Sequence, residues 1–461
     1  MTLIKSISGI RGTIGGEINN SLTPLDTVKF ASAFGSWLIK QNKGEKIKVV
    51  IGRDARISGE MISSLVSASL VGLGIDVIDL GLSTTPTVEI AVPLENAQGG
   101  IVLTASHNPK QWNALKLLNN KGEFISNKEG DEVITISEAE SFHYADIDNL
   151  GRLSTDNSYL NKHIDLILNL PLVNKKAIKE AKFSVVIDAV NSSGGIFVPT
   201  LLESLGIEKI EKINCDPTGN FAHNPEPLPE NLEDLSKKIE ELNYEIGITV
   251  DPDVDRLAFV CEDGTMFGEE YTLVAIADYV ISKTPGSTVS NLSSTRALRD
   301  ITEANGQKYF ASAVGEVNVV KKMKEKNAVI GGEGNGGIIY PKIHYGRDSL
   351  VGIALFLSLL AEKKTTLSKL RDSYPKYVIS KNKIELTPEI NVDEILEKIA
   401  DKYSDKEIDK TDGLKIYIGN EWIHLRKSNT EPIIRIYSES ISLKLAETLS
   451  EKIINEIKSI L

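Results

Sequence analysis

The sequence predicts an α/β protein of several domains, and three observations support this fold class. Apolar runs of strand length alternate with amphipathic segments of helix length through most of the chain, which is typical of layered α/β domains with parallel strands. The alternation occurs three times, and closely spaced strand-like runs then replace it. At 461 residues the chain is also longer than one hydrophobic core usually allows.

The predicted elements follow one another in a regular order. The first repeat has strands at 47–51, 77–80 and 101–103, with a helix from about residue 59 and another before the third strand. The second repeat has strands at 184–190, 207–213 and 245–250 and a helix at 231–242. The third has strand-like runs at 288–292, 308–313 and 328–330. Each repeat is long enough to form a domain.

The last part of the chain predicts a different domain. After the break at Tyr374 and Pro375, strands are expected at 377–386, 414–418, 422–425 and 433–437, with helices at 392–403 and from about 442. This order favours a small antiparallel sheet with helices on one face, an α+β domain. We therefore expect four domains, at 1–152, 153–255, 256–372 and 373–461.

Composition excludes several classes of function. The net charge of −12 argues against a nucleic-acid surface, although a local pocket of arginine residues or helix N-termini could still bind small anions. The two cysteines, Cys215 and Cys261, form no metal motif or disulfide framework. The N-terminus has no signal-peptide core, and the longest apolar stretch, 350–361, is too short to span a membrane. We therefore expect a cytoplasmic protein.

The first candidate site follows the apolar run at 99–103, where residues 104–109 read Thr-Ala-Ser-His-Asn-Pro. Pro109 prevents a helix through this segment and Asn108 can close a turn, so we expect a loop that displays the hydroxyl of Ser106 to solvent. An ordinary strand-to-helix turn or N-cap uses the same residue types. Ligands of open parallel sheets bind beyond the carboxyl ends of strands. The residues that follow the other strands therefore decide whether this segment is a functional loop or an ordinary turn.

The second candidate site follows another apolar run, where residues 251–256 read Asp-Pro-Asp-Val-Asp-Arg. The carboxylates of Asp251, Asp253 and Asp255 repel one another unless a cation lies among them, and such hard oxygen ligands suit Mg²⁺ or Ca²⁺. An EF-hand loop does not fit, because Arg256 stands where its sharp turn needs glycine. A solvated acidic turn without an ion is the remaining alternative.

The third candidate site is the glycine-rich segment 331–337, which follows the strand-like run that ends the third repeat. Its glycines would let the backbone approach a ligand closely, while Glu333 and Asn335 could hydrogen-bond to hydroxyl groups. The segment lacks the pattern of a P-loop or a dinucleotide fingerprint. A flexible turn with no ligand is the alternative.

The fourth candidate site lies between two strands of the last domain. Residues 426–432 read Arg-Lys-Ser-Asn-Thr-Glu-Pro, and Arg435 follows. Guanidinium, hydroxyl and amide groups within five residues can form a cradle for a phosphate. The alternative is a hairpin in which Ser428 and Asn429 only bend the chain.

These four segments, in this order and at this spacing, resemble the α-D-phosphohexomutase superfamily. The likeness covers the whole chain and includes Gly-Ile-Arg-Gly-Thr at 9–13, which is similar to the family's N-terminal motif. It implies three similar three-layer α/β domains with mixed sheets and a C-terminal α+β domain, arranged around a central cleft. The forms Glu-Gly-Asn-Gly-Gly at 333–337 and His-Tyr-Gly-Arg-Asp at 344–348 most resemble the archaeal-type phosphoglucosamine mutase branch.

The resemblance also implies roles for the residues that react. Ser106 would carry a phosphoryl group, and one of its oxygens would complete an Mg²⁺ site with the three aspartates. Lys116 looks like the candidate general acid and base. His107, Arg11 and Arg256 look like contacts to the phosphoryl group that is transferred.

The remaining residues would bind the substrate, again by resemblance. Glu333 and Asn335 would hold sugar hydroxyls. The phosphate that does not react would be bound by residues of the fourth segment and the strand after it, namely Arg426, Ser428, Asn429, Thr430 and Arg435. A fixed phosphate site can serve both orientations of a bisphosphate intermediate.

The implied activity is an intramolecular phosphotransfer that interconverts glucosamine 6-phosphate and glucosamine 1-phosphate, in amino-sugar biosynthesis. The cycle would pass through a 1,6-bisphosphate, and such a bisphosphate would also prime Ser106. A phosphomannomutase or phosphoglucomutase is the alternative, a non-catalytic sugar-phosphate binding protein is a remote one, and an aspartyl phosphatase is a third. The expected partners are small sugar phosphates, without nucleic acid or membrane, for a monomer or homodimer.

Overall fold

The chain divides into two units in the computed structural model, which describes residues 2–6, 9–387, 390–428 and 433–460. One unit consists of residues 1–272 and 336–368. The other consists of residues 273–335 and 369–461. The four predicted domains are therefore shared between two units, and the third repeat contributes to both.

A seven-stranded mixed sheet forms the first α/β domain, with the strand order β1-β2-β6-β5-β3-β4-β7. Its elements are β1 (Ile4–Ser6), β2 (Gly9–Thr13), α1 (Pro24–Gln41), β3 (Lys48–Arg53), α2 (Gly59–Gly72), β4 (Asp76–Leu82), α3 (Thr85–Leu94), β5 (Gly99–Leu103), β6 (Trp112–Leu118), α4 (Asn127–Ala139) and β7 (Leu153–Thr155). Strands β3, β4, β5 and β7 run parallel, whereas β6 pairs antiparallel with both β5 and β2. Strand β6 was not predicted, and it reverses the chain directly after the Ser106 loop.

Alternation along β3 explains why this sheet has a helix layer on each face. Val49 and Ile51 point into the core that contains residues of α1 and α2, and Val50 points into the opposite core with residues of α3. Successive side chains of a strand point to opposite faces, so an unbroken apolar run requires cover on both sides. Strand β3 is therefore buried between two helix layers, and the polar loop that follows it begins at the edge of the sheet.

A four-stranded sheet forms the second α/β domain, with the order β11-β10-β8-β9. Its elements are α5 (Tyr159–Leu168), α6 (Lys175–Ala181), β8 (Ser184–Asp188), α7 (Gly194–Leu205), β9 (Lys209–Ile213), α8 (Glu233–Leu242), β10 (Ile246–Val250) and β11 (Leu257–Val260). Strand β10 is parallel to β8 and antiparallel to β11. The boundary predicted at residue 255 therefore falls between two paired strands, and the acidic segment is the loop of a hairpin.

The third repeat continues the α/β pattern. Its elements are α9 (Glu269–Lys283), β12 (Thr288–Asn291), α10 (Ala297–Ala304), β13 (Tyr309–Ser312), α11 (Glu316–Lys326), β14 (Ile330–Glu333), β15 (Gly337–Ile339), α12 (Ser349–Lys363) and α13 (Leu367–Asp372). In the second unit, β12 lies between β13 and β14 and is parallel to both. Glu333 is the last residue of β14 at the carboxyl edge of this sheet, whereas the sequence predicts that the strand ends at residue 330 and that Glu333 lies in the segment beyond it.

The last domain is an antiparallel sheet with the order β16-β20-β19-β18-β17. Its elements are β16 (Val378–Glu385), α14 (Val392–Lys402), β17 (Glu407–Asp409), β18 (Leu414–Ile418), β19 (Glu421–Lys427), β20 (Ile433–Ser440) and α15 (Leu443–Ile460). Apolar residues of α14 and α15 share one core with β18, β19 and β20. The predicted α+β domain is confirmed, and so is the four-domain fold class.

Every helix in the described part of the chain is too short or too polar to span a lipid bilayer.

Candidate active site

The Ser106 loop is buried, although the sequence predicts that it displays its hydroxyl to solvent. Ser106 is 7% exposed and adopts a left-handed backbone conformation with φ of +50°. Its N–H donates to Thr104 Oγ1 at 2.9 Å, and its hydroxyl donates to Asp251 Oδ2 at 2.8 Å. The predicted exposure was wrong because the β10–β11 loop covers Ser106, and the local sequence does not encode this contact with a distant segment.

Arg56 holds the Ser106 loop by its backbone. Its side chain is fully buried, and its two terminal nitrogens donate to four carbonyl oxygens, at 2.5–2.9 Å, of Ser106, Asn108, Pro109 and Trp112. Nε donates to Asp54 at 3.0 Å. Because buried donors must be satisfied, this fork fixes the path of the loop. The sequence motifs gave Arg56 no role, although it follows β3 at the same sheet edge.

The three aspartates of the β10–β11 hairpin form one buried cluster. Side-chain oxygens of Asp251, Asp253 and Asp255 lie within 4.8 Å of one another, and all three residues are 0% exposed. Asp251 Oδ1 accepts hydrogen bonds from the backbone N–H groups of Asp255 and Arg256, each at 3.1 Å. This burial rules out the solvated acidic turn, and the hairpin partner strand that starts at Leu257 rules out an EF-hand loop.

Three cations surround the aspartate cluster. Lys116 Nζ lies 2.7 Å from Asp253 Oδ2 and 3.6 Å from Asp255 Oδ2. Arg347 Nη2 lies 2.6 Å from Asp255 Oδ2. Arg256 Nε lies 4.0 Å from Asp255 Oδ1. Three carboxylates thus face three permanent or near-permanent positive charges, which is how a protein can bury them together.

The pKa shifts in the cluster reflect this arrangement. Burial raises the pKa of Asp251 well above its usual value, and the charges of Asp255 and Asp253 add to the shift. Burial would also raise the pKa of Asp255, but Arg347, Lys116 and Arg256 outweigh it and hold that pKa below its usual range. Burial opposes the charge of Lys116, yet Asp253 and Asp255 raise its pKa. The nearby cations therefore outweigh burial at Asp255 but not at Asp251.

The cluster has the donor atoms for a divalent cation. Among the described residues, Asp253 Oδ1 and Asp255 Oδ1 are buried oxygens without a hydrogen-bond partner. Unpartnered buried carboxylate oxygens are costly unless an ion binds them, and oxygen-only sets suit hard cations. The chain therefore has an acidic triad that could bind a metal ion.

Three further predicted residues lie in the same unit. His107 Nδ1 is 3.5 Å from Ser106 Oγ, and burial together with Arg256 lowers the pKa of His107 to about 2, so its ring is neutral. Arg256 Nη1 pairs with Glu226 at 3.0 Å. Arg11 lies on β2 opposite Ala114 of β6, and its Nε is buried without a hydrogen-bond partner among the described residues.

Thr85 and Arg347 also contact the cluster, and the sequence motifs assigned neither of them a role. The hydroxyl of Thr85 donates to Asp253 Oδ2 at 2.5 Å, and its N–H donates to the Asp253 carbonyl at 2.9 Å. Neither contact could be found from spacing, since the partners lie far apart in sequence. The available signal was that Thr85 begins α3 and that Arg347 lies two residues before α12.

In the second unit, Glu333 is held by neutral donors. Its Oε1 accepts from Asn291 Nδ2 at 2.9 Å and from the Gly315 N–H at 3.2 Å, and the residue is 4% exposed. The N–H of Gly334 donates to Ser294 Oγ at 2.9 Å. Asn335, the other predicted sugar contact, is half-buried.

The predicted phosphate-binding segment follows β19 in the second unit. Arg426 and Arg435 are directly opposite each other on the antiparallel strands β19 and β20. The N–H of Ser428 donates to the Ile433 carbonyl at 3.1 Å. Asn429 and Thr430 lie outside the described residues. Opposite residues of a strand pair share one face, so the two guanidinium groups repel unless an anion lies near them.

Known proteins match the chain over its full length. Four descriptions match in order: Phosphoglucomutase/phosphomannomutase alpha/beta/alpha domains I, II and III over residues 3–144, 161–264 and 268–377, and the C-terminal domain over 383–456. A phosphoglucomutase/phosphomannomutase of Thermococcus kodakarensis is 36% identical over 95% of this chain and 96% of its own. The chain belongs to the phosphoglucomutase/phosphomannomutase family. The resemblance to phosphohexomutases is thereby confirmed.

Two other members of the family are also similar to this chain over its length. A probable phosphoglucosamine mutase of Pyrococcus horikoshii is 34% identical over 98% of this chain and 97% of its own. The crystal structure of a phosphoglucomutase/phosphomannomutase family protein from Burkholderia thailandensis superposes with a TM-score of 0.84, at 26% identity, covering 100% of this chain and 98% of that one. The family consists of phosphohexomutases, and the archaeal relatives include proteins named for glucosamine phosphate.

Proposed function

We propose that the chain is a phosphoglucosamine mutase that interconverts glucosamine 6-phosphate and glucosamine 1-phosphate. The observation that carries the proposal is the hydrogen bond from the Ser106 hydroxyl to Asp251 of the acidic triad, because it places a potential phosphate carrier against a candidate divalent-cation site. Family membership supports the reaction class. The names of archaeal relatives, including that of Pyrococcus horikoshii, support the amino sugar.

The charges around Ser106 support a phosphoserine together with Mg²⁺. In the unmodified chain, three carboxylates are opposed by Lys116, Arg256 and Arg347. A phosphoserine adds about −1.5 to −2 charges at neutral pH, and a divalent cation adds a compensating charge. Asp251, Asp253 and Asp255 would hold the Mg²⁺, which would stabilise negative charge on the phosphoryl oxygens when bound.

The chain's own residues would orient and stabilise the phosphoryl group during transfer. The P–Oγ bond of phosphoserine 106 breaks as a sugar hydroxyl oxygen bonds to phosphorus, and the hydroxyl proton must leave while Oγ receives one. Lys116 is proposed as the group that exchanges these protons. Arg11 and Arg256 would neutralise the phosphoryl oxygens, and His107, with its neutral ring, would act as a hydrogen-bonding partner.

The substrate contacts are proposed for the second unit. Glu333 and Asn335 would hydrogen-bond sugar hydroxyls, and Arg426, Ser428 and Arg435, with Asn429 and Thr430, would bind the phosphate that does not react. The facing pair Arg426 and Arg435 supports this assignment, since two guanidinium groups on one face of the sheet carry more positive charge than the Asp412 carboxylate beside Arg426 neutralises. The 1,6-bisphosphate intermediate would use this site in both of its orientations.

The direct test compares glucosamine, glucose and mannose 6-phosphates as substrates of the purified chain with Mg²⁺ and a trace of hexose 1,6-bisphosphate for priming. We expect the highest kcat/KM with glucosamine 6-phosphate. A clear preference for glucose or mannose phosphate would replace the proposal by a phosphoglucomutase or a phosphomannomutase. The predicted cytoplasmic location and the monomeric or dimeric state are not needed for this test and stay predictions.

Peptide mapping for phosphate separates a mutase from an aspartyl phosphatase and from a sugar-phosphate binding protein. After incubation with the bisphosphate, we expect the phosphoryl group on the peptide that contains Ser106. Phosphate on Asp251 would indicate an aspartyl phosphatase. Tight binding of sugar phosphates with neither turnover nor phosphorylation would indicate a binding protein.

A further inference from the structure

Asp412 contacts two separate segments of the second unit from the turn between β17 and β18: the connection that contains Val314, and strand β19. Its Oδ2 accepts from the Val314 N–H at 2.9 Å and lies 2.8 Å from Arg426 Nε. Its carbonyl oxygen is 2.7 Å from His424 Nε2. The side chain is 24% exposed. These contacts extend well beyond the hairpin turn in which the residue lies.

The first connection from Asp412 leads to Glu333 through one peptide segment. The N–H of Val314 donates to Asp412, and the next N–H, that of Gly315, donates to Glu333 Oε1 at 3.2 Å. Gly315 has a φ of +109°, a conformation that favours glycine. The two consecutive N–H groups therefore tie both carboxylates to one short peptide segment.

The second connection runs through His424. A carbonyl oxygen only accepts, so His424 Nε2 donates to the Asp412 carbonyl, and Nδ1 accepts from the Ser293 hydroxyl at 3.0 Å. Ser293 follows Asn291 by two residues, and the Asn291 amide donates to Glu333 Oε1. Both connections thus start at the carboxylate that would bind the sugar and converge on Asp412.

Arg426 is the group that Asp412 holds on its other side. The N–H of Arg426 Nε is not aligned for a hydrogen bond, so the 2.8 Å contact is an ion pair governed by charge. Arg435 faces Arg426 across the strand pair, and the repulsion between two cations would push the guanidinium groups apart. The carboxylate of Asp412 opposes that displacement.

We infer that Asp412 is a positioning residue that fixes Arg426, the candidate phosphate contact, relative to Glu333, the candidate sugar contact. The inference rests on the proposed function for the roles of those two residues. Asp412 itself need not touch the substrate. It would set the distance between Arg426 and Glu333, and thereby the distance at which the non-reacting phosphate and the sugar hydroxyls are bound together.

The test compares Asp412→Ala and Asp412→Asn in the full chain, with glucosamine 6-phosphate turnover and with calorimetric binding of glucose 6-phosphate. We expect Asp412→Ala to raise KM about 10-fold, a typical coupling for groups in contact, with kcat changed by less than about twofold. Asp412→Asn keeps an acceptor for the Val314 N–H and should raise KM less. Asp409→Asn is the matched control, because it removes a carboxylate from the same hairpin that accepts only from the Thr411 N–H at 2.7 Å among the contacts described for it.

A double-mutant cycle with Arg426→Ala distinguishes positioning from general damage. If Asp412 acts through Arg426, the double variant should have nearly the same KM as Arg426→Ala alone, even though its melting temperature falls with the loss of the acceptor for the Val314 N–H. Independent, multiplicative effects would overturn the inference, and so would an unchanged KM in Asp412→Ala.

Calorimetry keeps the two proposals separate. Weaker binding of glucose 6-phosphate by Asp412→Ala, in a chain that shows no mutase turnover at all, would support the positioning role and contradict the proposed function. Normal turnover by the wild-type chain, with unchanged affinity in Asp412→Ala, would support the proposed function and contradict the positioning role.

Discussion

The two candidate regions differ in how their charged groups are neutralised. Around Ser106, carboxylates and cations oppose each other inside the protein, and Asp251, Asp253 and Asp255 are fully buried. In the second unit, Glu333 accepts hydrogen bonds from an amide and a backbone N–H, and two arginines face each other on neighbouring strands with one carboxylate, that of Asp412, beside Arg426. The first region is suited to stabilising charge that moves during a reaction. The second is suited to binding a charge that the ligand brings.

This difference predicts that variants of the first region lower kcat, whereas variants of the second raise KM. The largest effect is expected for Ser106→Ala, which removes the proposed phosphate carrier and should lower kcat about 10⁴-fold or more, as loss of a nucleophile does elsewhere. Steady-state assays with glucosamine 6-phosphate measure it. Ser64→Ala, on the exposed face of α2, should leave the rate unchanged. Persistent turnover in Ser106→Ala would remove the distinction between the regions.

Asp253→Asn should have the next largest effect, because it removes a carboxylate oxygen of the triad and the closest partner of Lys116. We expect Mg²⁺ affinity, measured by calorimetry, to fall at least about 100-fold, since even loss of an outer partner costs 10- to 100-fold. Asp263→Asn, in the turn after β11, is the control. Unaltered affinity in Asp253→Asn would show that the triad does not bind the ion.

Glu333→Gln tests the second region. The glutamine oxygen can still accept from Asn291 and Gly315, so the fold should persist while the charge is lost. We expect KM to rise about 10-fold with a smaller change in kcat, in line with a lost charge-assisted hydrogen bond. Glu325→Gln, on the exposed surface of α11, provides the comparison. A fall in kcat without a rise in KM would instead indicate that Glu333 takes part in the phosphoryl transfer.

The smallest effect concerns stability and its dependence on pH. His344 lies 3.3 Å from both Glu89 Oε2 and Asp348 Oδ2. Burial opposes its charge, but Asp348 and Glu89 raise its pKa to about 10. A raised pKa contributes stability that is complete below the unfolded value of about 6.5 and is lost as the pH rises towards 10.

Urea unfolding of wild-type and His344→Gln chains at several pH values measures this contribution. Between pH 6.5 and 10, the wild type should lose at least about 1 kcal/mol of unfolding free energy that His344→Gln does not lose. The exposed His143→Gln should follow the wild type. Parallel pH profiles for all three chains would contradict the assignment.

The sequence predicted the fold class, most strands and the edge of each sheet that bears polar loops. It could do so because an unbroken apolar run such as 99–103 must be buried and must end where polar residues begin. It did not predict β6, whose antiparallel pairing with β5 depends on a partner chosen by the tertiary fold. For the same reason it could name Lys116 by resemblance but could not locate it against Asp253.

The residues that support the site were harder to predict than those proposed to react. Arg56 and Arg347 contact partners about 50 and 92 positions away in the sequence. No local spacing encodes such contacts. The burial of Ser106 depends in the same way on Asp251, 145 positions away.

The hydrogen bonds of the Arg56 guanidinium affect which substitutions the Ser106 loop can accept. Within the described part of the chain, its terminal nitrogens donate only to main-chain carbonyl oxygens, so they recognise the course of the backbone and not the side chains attached to it. Any residue that accepts the left-handed conformation at position 106 would be carried in the same place. The support of the loop is therefore independent of the side chain at position 106, whereas that side chain itself must fit beside Asp251 in a buried site.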